Sequence, residues 1–258
     1  MSDDYARKIE EQREAERHWL LGPDSVLAAV ARHELPIGTT VRFGPNASAD
    51  VALPGMDRAI AIAATADGFV VDGKTSGPET IEAGRYRLRL SHQNYPAAVV
   101  LDAQSPRRGQ DAELRWFPVD RRFRVVTRLE RDVAPQSLGA TASAARQAER
   151  VGWVSVRIDG VDARFSVTRL LEPGVPAEHM EIYFRDATTG RDSYVVGRYV
   201  PLEPEGGGVV VDFNLAYNPA CALSPFYNCP IPPPENHVSV AIRAGEMTPR
   251  VSSPAQPD

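Results

Sequence analysis

Short apolar runs separated by turn-forming residues constrain the fold of this chain more than any other feature. From Leu35 onward, strand-like runs such as residues 39–43, 59–63 and 86–90 are divided by Gly, Pro, Asp or Asn. The breaks recur about every ten residues, a spacing typical of antiparallel sheets rather than of helices. We therefore predict a mainly β protein.

The chain divides into four predicted regions. Residues 1–35 form a helical arm that Asp3 or Asp4 can cap, residues 36–110 a β-sandwich, and residues 111–246 a second antiparallel β domain, meander or barrel-like, with a Pro-rich capping loop. Residues 247–258 form a flexible tail. The arm packs across the β core in the favoured interpretation; in the alternative it is a dimerisation helix, and the protein is a homodimer.

The sandwich region resembles a degenerate forkhead-associated domain. The similarity lies in RFGPNASADVALPG and VDGKTSGPETIEAG, within residues 36–84. In that family an Arg, a Ser and a His bind phosphothreonine, but Pro45, Asp57 and Ile60 stand at or near these places here. The resemblance therefore implies an FHA-like scaffold for protein interaction that has lost its phosphate-binding groups.

Charge and hydropathy exclude several classes of partner. The formal net charge is -5, whereas binding to nucleic acid or an anionic membrane calls for a basic face. The sequence shows neither an apolar run long enough to span a membrane nor a signal peptide. We expect a cytoplasmic protein with no nucleic-acid and no membrane partner.

Residues 209–245, VVVDFNLAYNPACALSPFYNCPIPPPENHVSVAIRAG, concentrate rigid and polar side chains in one segment. Arginine can pair with an anion, amides can orient it, and tyrosine can stack on it. We predict a pocket for a small polar or anionic ligand in the second β domain. Its candidate residues are Arg185, Asp186, Tyr194, Arg198, Asp212, Asn214, Tyr217, Asn218, Glu235 and Asn236.

Two other interpretations of the same residues stay open. Asn and Asp side chains also satisfy the backbone of a long loop, which is a purely structural role. Alternatively, Asp186, Asp212 or Glu235 is the general base of a hydrolase or transferase, with or without the assistance of a metal. We favour binding because the sequence shows no nucleophile with a convincing base, and it indicates no particular cofactor.

The two cysteines, Cys221 and Cys229, allow three roles. Buried structural thiols are favoured, since seven residues between them is not a zinc-finger spacing. A metal site completed by His237 is a weaker alternative, and a transient redox pair is the third. A cytoplasmic location disfavours a permanent disulfide.

Three long runs carry a second resemblance: WFPVDRRFRVV, FRDATTGRDSYVVGRYV and VDFNLAYNPACALSPFYNCPIPPPENHVSVAIRAGE. On these the chain resembles the bacterial and archaeal family called domain of unknown function 1684. The helical opening and the sandwich are similar to that family's N-terminal part. Leu215 and Leu223 depart from the Arg and aromatic residue common there, and the family implies no specific activity.

Overall fold

The computed structural model describes residues 2–93, 95–109, 112–142 and 145–251. In these ranges the chain forms one α-helix, α1 (Ser2–Leu20), and strands β1–β18, so the prediction of a mainly β protein is confirmed. The strands are β1 (Ala29–Glu34), β2 (Thr40–Gly44), β3 (Val51–Ala52), β4 (Ile60–Ala64), β5 (Phe69–Val71), β6 (Lys74–Ser76), β7 (Thr80–Ala83), β8 (Tyr86–Ser91), β9 (Ala97–Asp102), β10 (Ala112–Glu113), β11 (Arg124–Thr127), β12 (Leu129–Leu138), β13 (Arg146–Ile158), β14 (Val161–Leu170), β15 (Glu181–Phe184), β16 (Arg198–Glu205), β17 (Gly208–Asp212) and β18 (Arg250–Val251).

The contacts divide the chain into two compact units. One, the sandwich unit, comprises Trp19–Gln110 with Glu172–Val175. Its strands form two sheets, ordered β1-β9-β8-β7 and β3-β2-β4-β5-β6. Buried side chains of both sheets, such as Phe43, Ile62 and Leu88, make one apolar core. The helix of the expected arm ends at Leu20, and the residues 29–34 are strand β1.

The other unit, here called the meander unit, comprises Met1–His18, Asp111–Leu171 and Pro176–Ser253. Its main sheet has the order β11-β17-β16-β15-β14-β13-β12, so the strands from β12 to β17 follow one another as an antiparallel meander. The β13–β14 hairpin turns at Asp159 and Gly160, both with positive φ, as an Asp-Gly turn requires.

Successive residues of the central strands face two different environments, an apolar core and a tyrosine cluster. On β15, Ile182 and Phe184 enter the main apolar core, whereas Tyr183 enters a second cluster with Tyr199 of β16. Successive side chains point to opposite faces of a sheet, which explains the separation. One face of this sheet therefore packs against the apolar core, and the opposite face carries the tyrosine hydroxyls and the carboxylate of Glu181.

After β17 the chain runs back along the sheet in an irregular segment, residues 213–245, which we call the crossing. It is tied to the sheet by backbone bonds: Tyr217 pairs with Tyr199, and Arg185 pairs with His237. At its end Gly245 has φ +74, and a Cβ there would lie 2.4 Å from a backbone oxygen of Ala216. Only glycine fits this position without displacing the backbone.

The two ends of the meander unit's sequence also pack in it. On α1, Arg17 stacks over Trp116 at 4.6 Å from the ring centroid. β18 pairs with β10, while residues 252–258 of the predicted flexible tail lie outside the described residues. Among the residues described, no helix combines the length and apolar character needed to cross a membrane.

Candidate functional site

Asp186 and Arg198 form a fully buried ion pair, with Nη2 and Oδ1 separated by 3.4 Å. Asp186 also accepts the backbone N–H of Ile242 at 2.6 Å, and Arg198 donates to the carbonyl oxygens of Ile242, at 2.8 Å, and of Ala244. Burial lowers the pKa of Arg198, and Asp186 opposes this effect. Because the carboxylate and both Nη atoms of the guanidinium bond to the protein, the pair fixes the crossing to the sheet rather than facing an open cavity.

Asp212 and Asn214 come together in a second group that holds α1. The Tyr5 hydroxyl donates to Asp212 at 2.6 Å, and the Asn214 amide donates to the Tyr5 oxygen at 3.0 Å and to the Asp120 carbonyl at 2.9 Å. Burial and the neighbouring Asp212 carboxylate raise the pKa of Tyr5. This group is a docking network for the helix, and its amide and carboxylate are already bonded.

Tyr217 belongs to a third group, centred on the buried carboxylate of Glu181. The Tyr183 hydroxyl donates to it at 2.8 Å, the Tyr217 hydroxyl also donates, and His179 Nε2 lies 3.4 Å away. Burial alone would raise the pKa of Glu181, but the hydrogen bonds from His179 and Tyr217 outweigh it and lower the pKa. The hydrogen bonds from the two tyrosine hydroxyls and from His179 therefore favour the ionised form of Glu181.

Asn218 contacts a different buried acid, Glu246. Its backbone N–H donates to Glu246 at 2.7 Å, and its amide donates to the Met247 carbonyl at 2.8 Å. Burial raises the pKa of Glu246 to about 7, and the negative charge of Glu16 on α1 adds to the effect. Glu16 and Glu246 line a cavity of about 10 Å³, which has room for one water and no larger ligand.

The other candidates are spread along the crossing and its neighbours. The Asn236 amide is buried, accepting from the Ser166 N–H at 2.7 Å and donating to the Ser166 carbonyl at 3.0 Å. Arg185 is half-buried, and its Nε donates to a backbone carbonyl at 2.9 Å. Glu235 is exposed and accepts from Gln136 at 3.3 Å. These side chains brace the loop without meeting in one place.

Cys221 and Cys229 are neighbours, both with free thiols. The backbone N–H of Cys221 points to the Cys229 sulfur at 3.4 Å, and the Tyr194 hydroxyl donates to the Cys221 carbonyl at 3.2 Å. His237 is exposed and contacts a proline carbonyl instead. Over the described part of the chain, no three His, Cys, Asp or Glu side chains lie together as metal ligands.

Tyr194 also lines a cleft of about 410 Å³, which we call the arginine cleft. Its charged lining groups are the guanidinium groups of Arg115, Arg191 and Arg250. Arg250 is paired with Glu113 at 3.4 Å, while Arg115 and Arg191 form no side-chain hydrogen bond or ion pair with any other described residue. The volume lies in the range common for small-molecule sites, and the lining favours an anion.

The ten predicted ligand-binding residues are thus divided among several bonded groups, and Tyr194 is the one that lines the arginine cleft. Sequence reasoning missed Arg115, Arg191 and Arg250. Arg191 lies within the run FRDATTGRDSYVVGRYV that carries the family resemblance, which is a usable signal. Arg250 lies in the predicted tail, and the pairing of β18 with β10, together with the bond from the Met247 N–H to the Arg115 carbonyl, brings it near Arg115.

The fold defines a mainly β protein whose antiparallel meander is braced by a proline-rich crossing. Comparison with protein families gives the family: a family model described as "Protein of unknown function (DUF1684)" matches residues 111–247, more than half of the chain. The chain belongs to this family, which confirms the second resemblance. The matched range covers β10 to β17 and the crossing.

Two further comparisons complete the result. No curated protein matches the chain. Among solved structures, the solution NMR structure of an uncharacterised protein from Haloarcula marismortui is similar, with 34% sequence identity. The match covers 52% of this chain and 76% of that chain, with a TM-score of 0.43.

Proposed function

We propose that the meander unit binds a small anionic ligand in the arginine cleft. The observation that carries this proposal is the cleft's lining, in which all charged side chains are arginines and two of the three have no protein partner among the described residues. Arginine is always charged and presents a planar set of donors that matches carboxylate and phosphate groups. An unpaired arginine at a concave surface is therefore ready to receive an anion.

The other lining groups suit a ligand that carries more than a bare charge. The Tyr194 ring offers a flat surface for an apolar or aromatic part, and Val195, which is 62% exposed, extends this apolar side. Thr248 adds a polar residue to the lining. A metabolite with one anionic group and a short organic body fits this combination, so the ligand class is a small carboxylate or phosphate ester.

The test is a titration of the full chain with mono- and dicarboxylates and with phosphate esters, by calorimetry at low and moderate salt. We expect at least one compound of these classes to bind. Arg115→Gln and Arg191→Gln should each weaken its binding about tenfold or more, because each removes a charged hydrogen-bonding pair. Arg157→Gln is the matched control, since Arg157 is an exposed arginine paired with Asp162, outside the cleft.

Two results would overturn the proposal. One is the absence of millimolar or tighter binding across the panel. The other is binding that Arg157→Gln weakens as much as the cleft variants do, which would show that only the net charge of the surface matters.

A further inference from the structure

The two thiols meet inside the crossing, although seven residues separate them in the sequence. Cys221 lies in a short 3-10 turn (Ala220–Ala222) in which no residue is fully buried. The Cys229 sulfur accepts the backbone N–H of Cys221 at 3.4 Å. This contact places the Cys229 sulfur against the residue that carries the other thiol, and both cysteines are free.

The surroundings make the two thiols unequal. The Cys229 thiol lowers the pKa of Cys221 to about 7, and the hydroxyls of Tyr194 and Thr141 contribute, while burial opposes. The same hydrogen bond, together with burial, raises the pKa of Cys229. Cys221 is half-buried, whereas Cys229 is only 6% exposed. Cys221 is therefore the more acidic and more exposed thiol, and Cys229 is the less acidic and more buried one.

We propose that Cys221 and Cys229 form a reactive dithiol that exchanges with low-molecular-weight disulfides, with Cys221 as the attacking thiol and Cys229 as the resolving thiol. In the first step the Cys221 thiolate attacks one sulfur of the disulfide, forms a mixed disulfide, and releases one small thiolate. In the second step Cys229 loses its proton and attacks the Cys221 sulfur, which releases the second small thiolate. The protein loses two electrons and two protons, and the small disulfide gains them as two thiols.

The second step follows from the first on electrostatic grounds. The hydrogen bond to the Cys221 sulfur, burial and the negative charge of that sulfur together raise the pKa of Cys229. Once Cys221 is in a mixed disulfide, that charge is gone. The buried Arg146, which donates to the Asn228 carbonyl at 2.7 Å, then favours the thiolate at Cys229. The pKa of Cys229 therefore falls once Cys221 is in the mixed disulfide, which is when Cys229 must attack the Cys221 sulfur. Neither step requires a ligand in the arginine cleft.

The expected reactivity of Cys221 is moderate. At pH 7 a thiol with a pKa of about 7 is half ionised, against roughly 3% for an ordinary cysteine, a gain of about fifteenfold. Its lower basicity reduces its nucleophilicity about fivefold. Cys221 should thus react about three times faster at pH 7 than an unperturbed cysteine, and Cys229 should be slow until Cys221 is modified.

The probe is glutathione disulfide, added in equimolar amount to the reduced full chain, with alkylation of remaining thiols and intact mass measurement. We expect the wild type to lose two hydrogens and keep no adduct, and Cys229→Ala to keep one glutathione on Cys221. Cys221→Ser should react at least tenfold more slowly than the wild type. The midpoint of the pH profile for iodoacetamide alkylation of Cys221 should move upward from about 7 in Cys229→Ala, since the hydrogen bond is lost.

Should Cys229→Ala fail to fold, rapid quenching and peptide mapping of the wild type answer the same question, since the transient adduct must sit on Cys221. The proposal is overturned by a lasting adduct on the wild type, by a Cys221→Ser protein that reacts at the wild-type rate, or by two equally reactive native thiols. Purified protein whose thiols are blocked by a stoichiometric metal would overturn it as well.

Discussion

Replacing Glu246 with glutamine should remove about 3 kcal/mol of the loss of stability that this protein suffers between mildly acidic and neutral pH. Glu246 is buried, and its carboxylate faces the Asn218 N–H, Glu16 of α1 and the Arg198 guanidinium. Burial raises its pKa from 4.5 to about 7, Glu16 adds to the effect, and Asn218 and Arg198 oppose it. Glutamine keeps the shape and the acceptor oxygen but cannot ionise.

The magnitude follows from linkage between proton binding and folding. The folded state holds this proton more tightly than the unfolded chain, so the stabilisation is complete below pH 4.5, is lost as pH rises, and is gone above about 7. A pKa change of this size corresponds to about 3 kcal/mol, since each tenfold change in proton affinity is worth about 1.4 kcal/mol. The pKa of His179 is raised chiefly by its hydrogen bond to Glu181, so its contribution to stability also falls as the pH rises. This contribution is the same in the wild type and in Glu246→Gln, and it cancels when the two are compared.

The assay is urea unfolding at several pH values from about 4.5 to 8, followed by tryptophan fluorescence. A Trp19→Phe background restricts the signal to Trp116 and Trp153, both in the meander unit. The wild type should lose about 3 kcal/mol more than Glu246→Gln over this range. Glu16→Gln, the control, should give an intermediate slope. Equal slopes for the wild type and Glu246→Gln would refute the reasoning.

Three further substitutions test the groups that brace the meander unit, each by its free energy of unfolding. Arg198→Met should cost about 3–5 kcal/mol because it strands the buried Asp186 carboxylate, and adding Asp186→Asn should recover part of the loss. Tyr5→Phe should cost about 1.5–3 kcal/mol and speed hydrogen exchange in α1, since the bond to a carboxylate is lost. Gly245→Ala should cost about 3 kcal/mol or more because its Cβ meets backbone oxygen, whereas Gly160→Ala, at a similar φ with open space around it, should cost only about 1 kcal/mol.

The sheet was predictable because the signals for its strands and turns lie within short stretches of the sequence. The Asp159-Gly160 turn fixes the β13–β14 hairpin, and alternation in the flanking runs fixes which residues face inward. In the same way β17 pairs with β16, the strand that precedes it, and the turn at Gly206 and Gly207 sets the register.

The bonding of the polar residues was not predictable because it depends on contacts between distant positions. Asp186 is satisfied by a backbone N–H at Ile242, and Asn214 by a hydroxyl at Tyr5. A single sequence shows that such groups need partners, but it does not show whether the partner is a ligand or the protein's own backbone. Here the backbone and the neighbouring side chains supply most of them.

Tyr194 lies between the arginine cleft and the Cys221–Cys229 pair, and it contacts both. It lines the arginine cleft, and its hydroxyl donates to the Cys221 carbonyl and lowers the pKa of the Cys221 thiol. If an anion binds in the cleft as proposed, it lies beside the side chain that stabilises the Cys221 thiolate, and we expect binding to change the reactivity of that thiol. By thermodynamic reciprocity, any anion that moves the pKa of Cys221 must itself bind with an affinity that depends on the ionisation of Cys221.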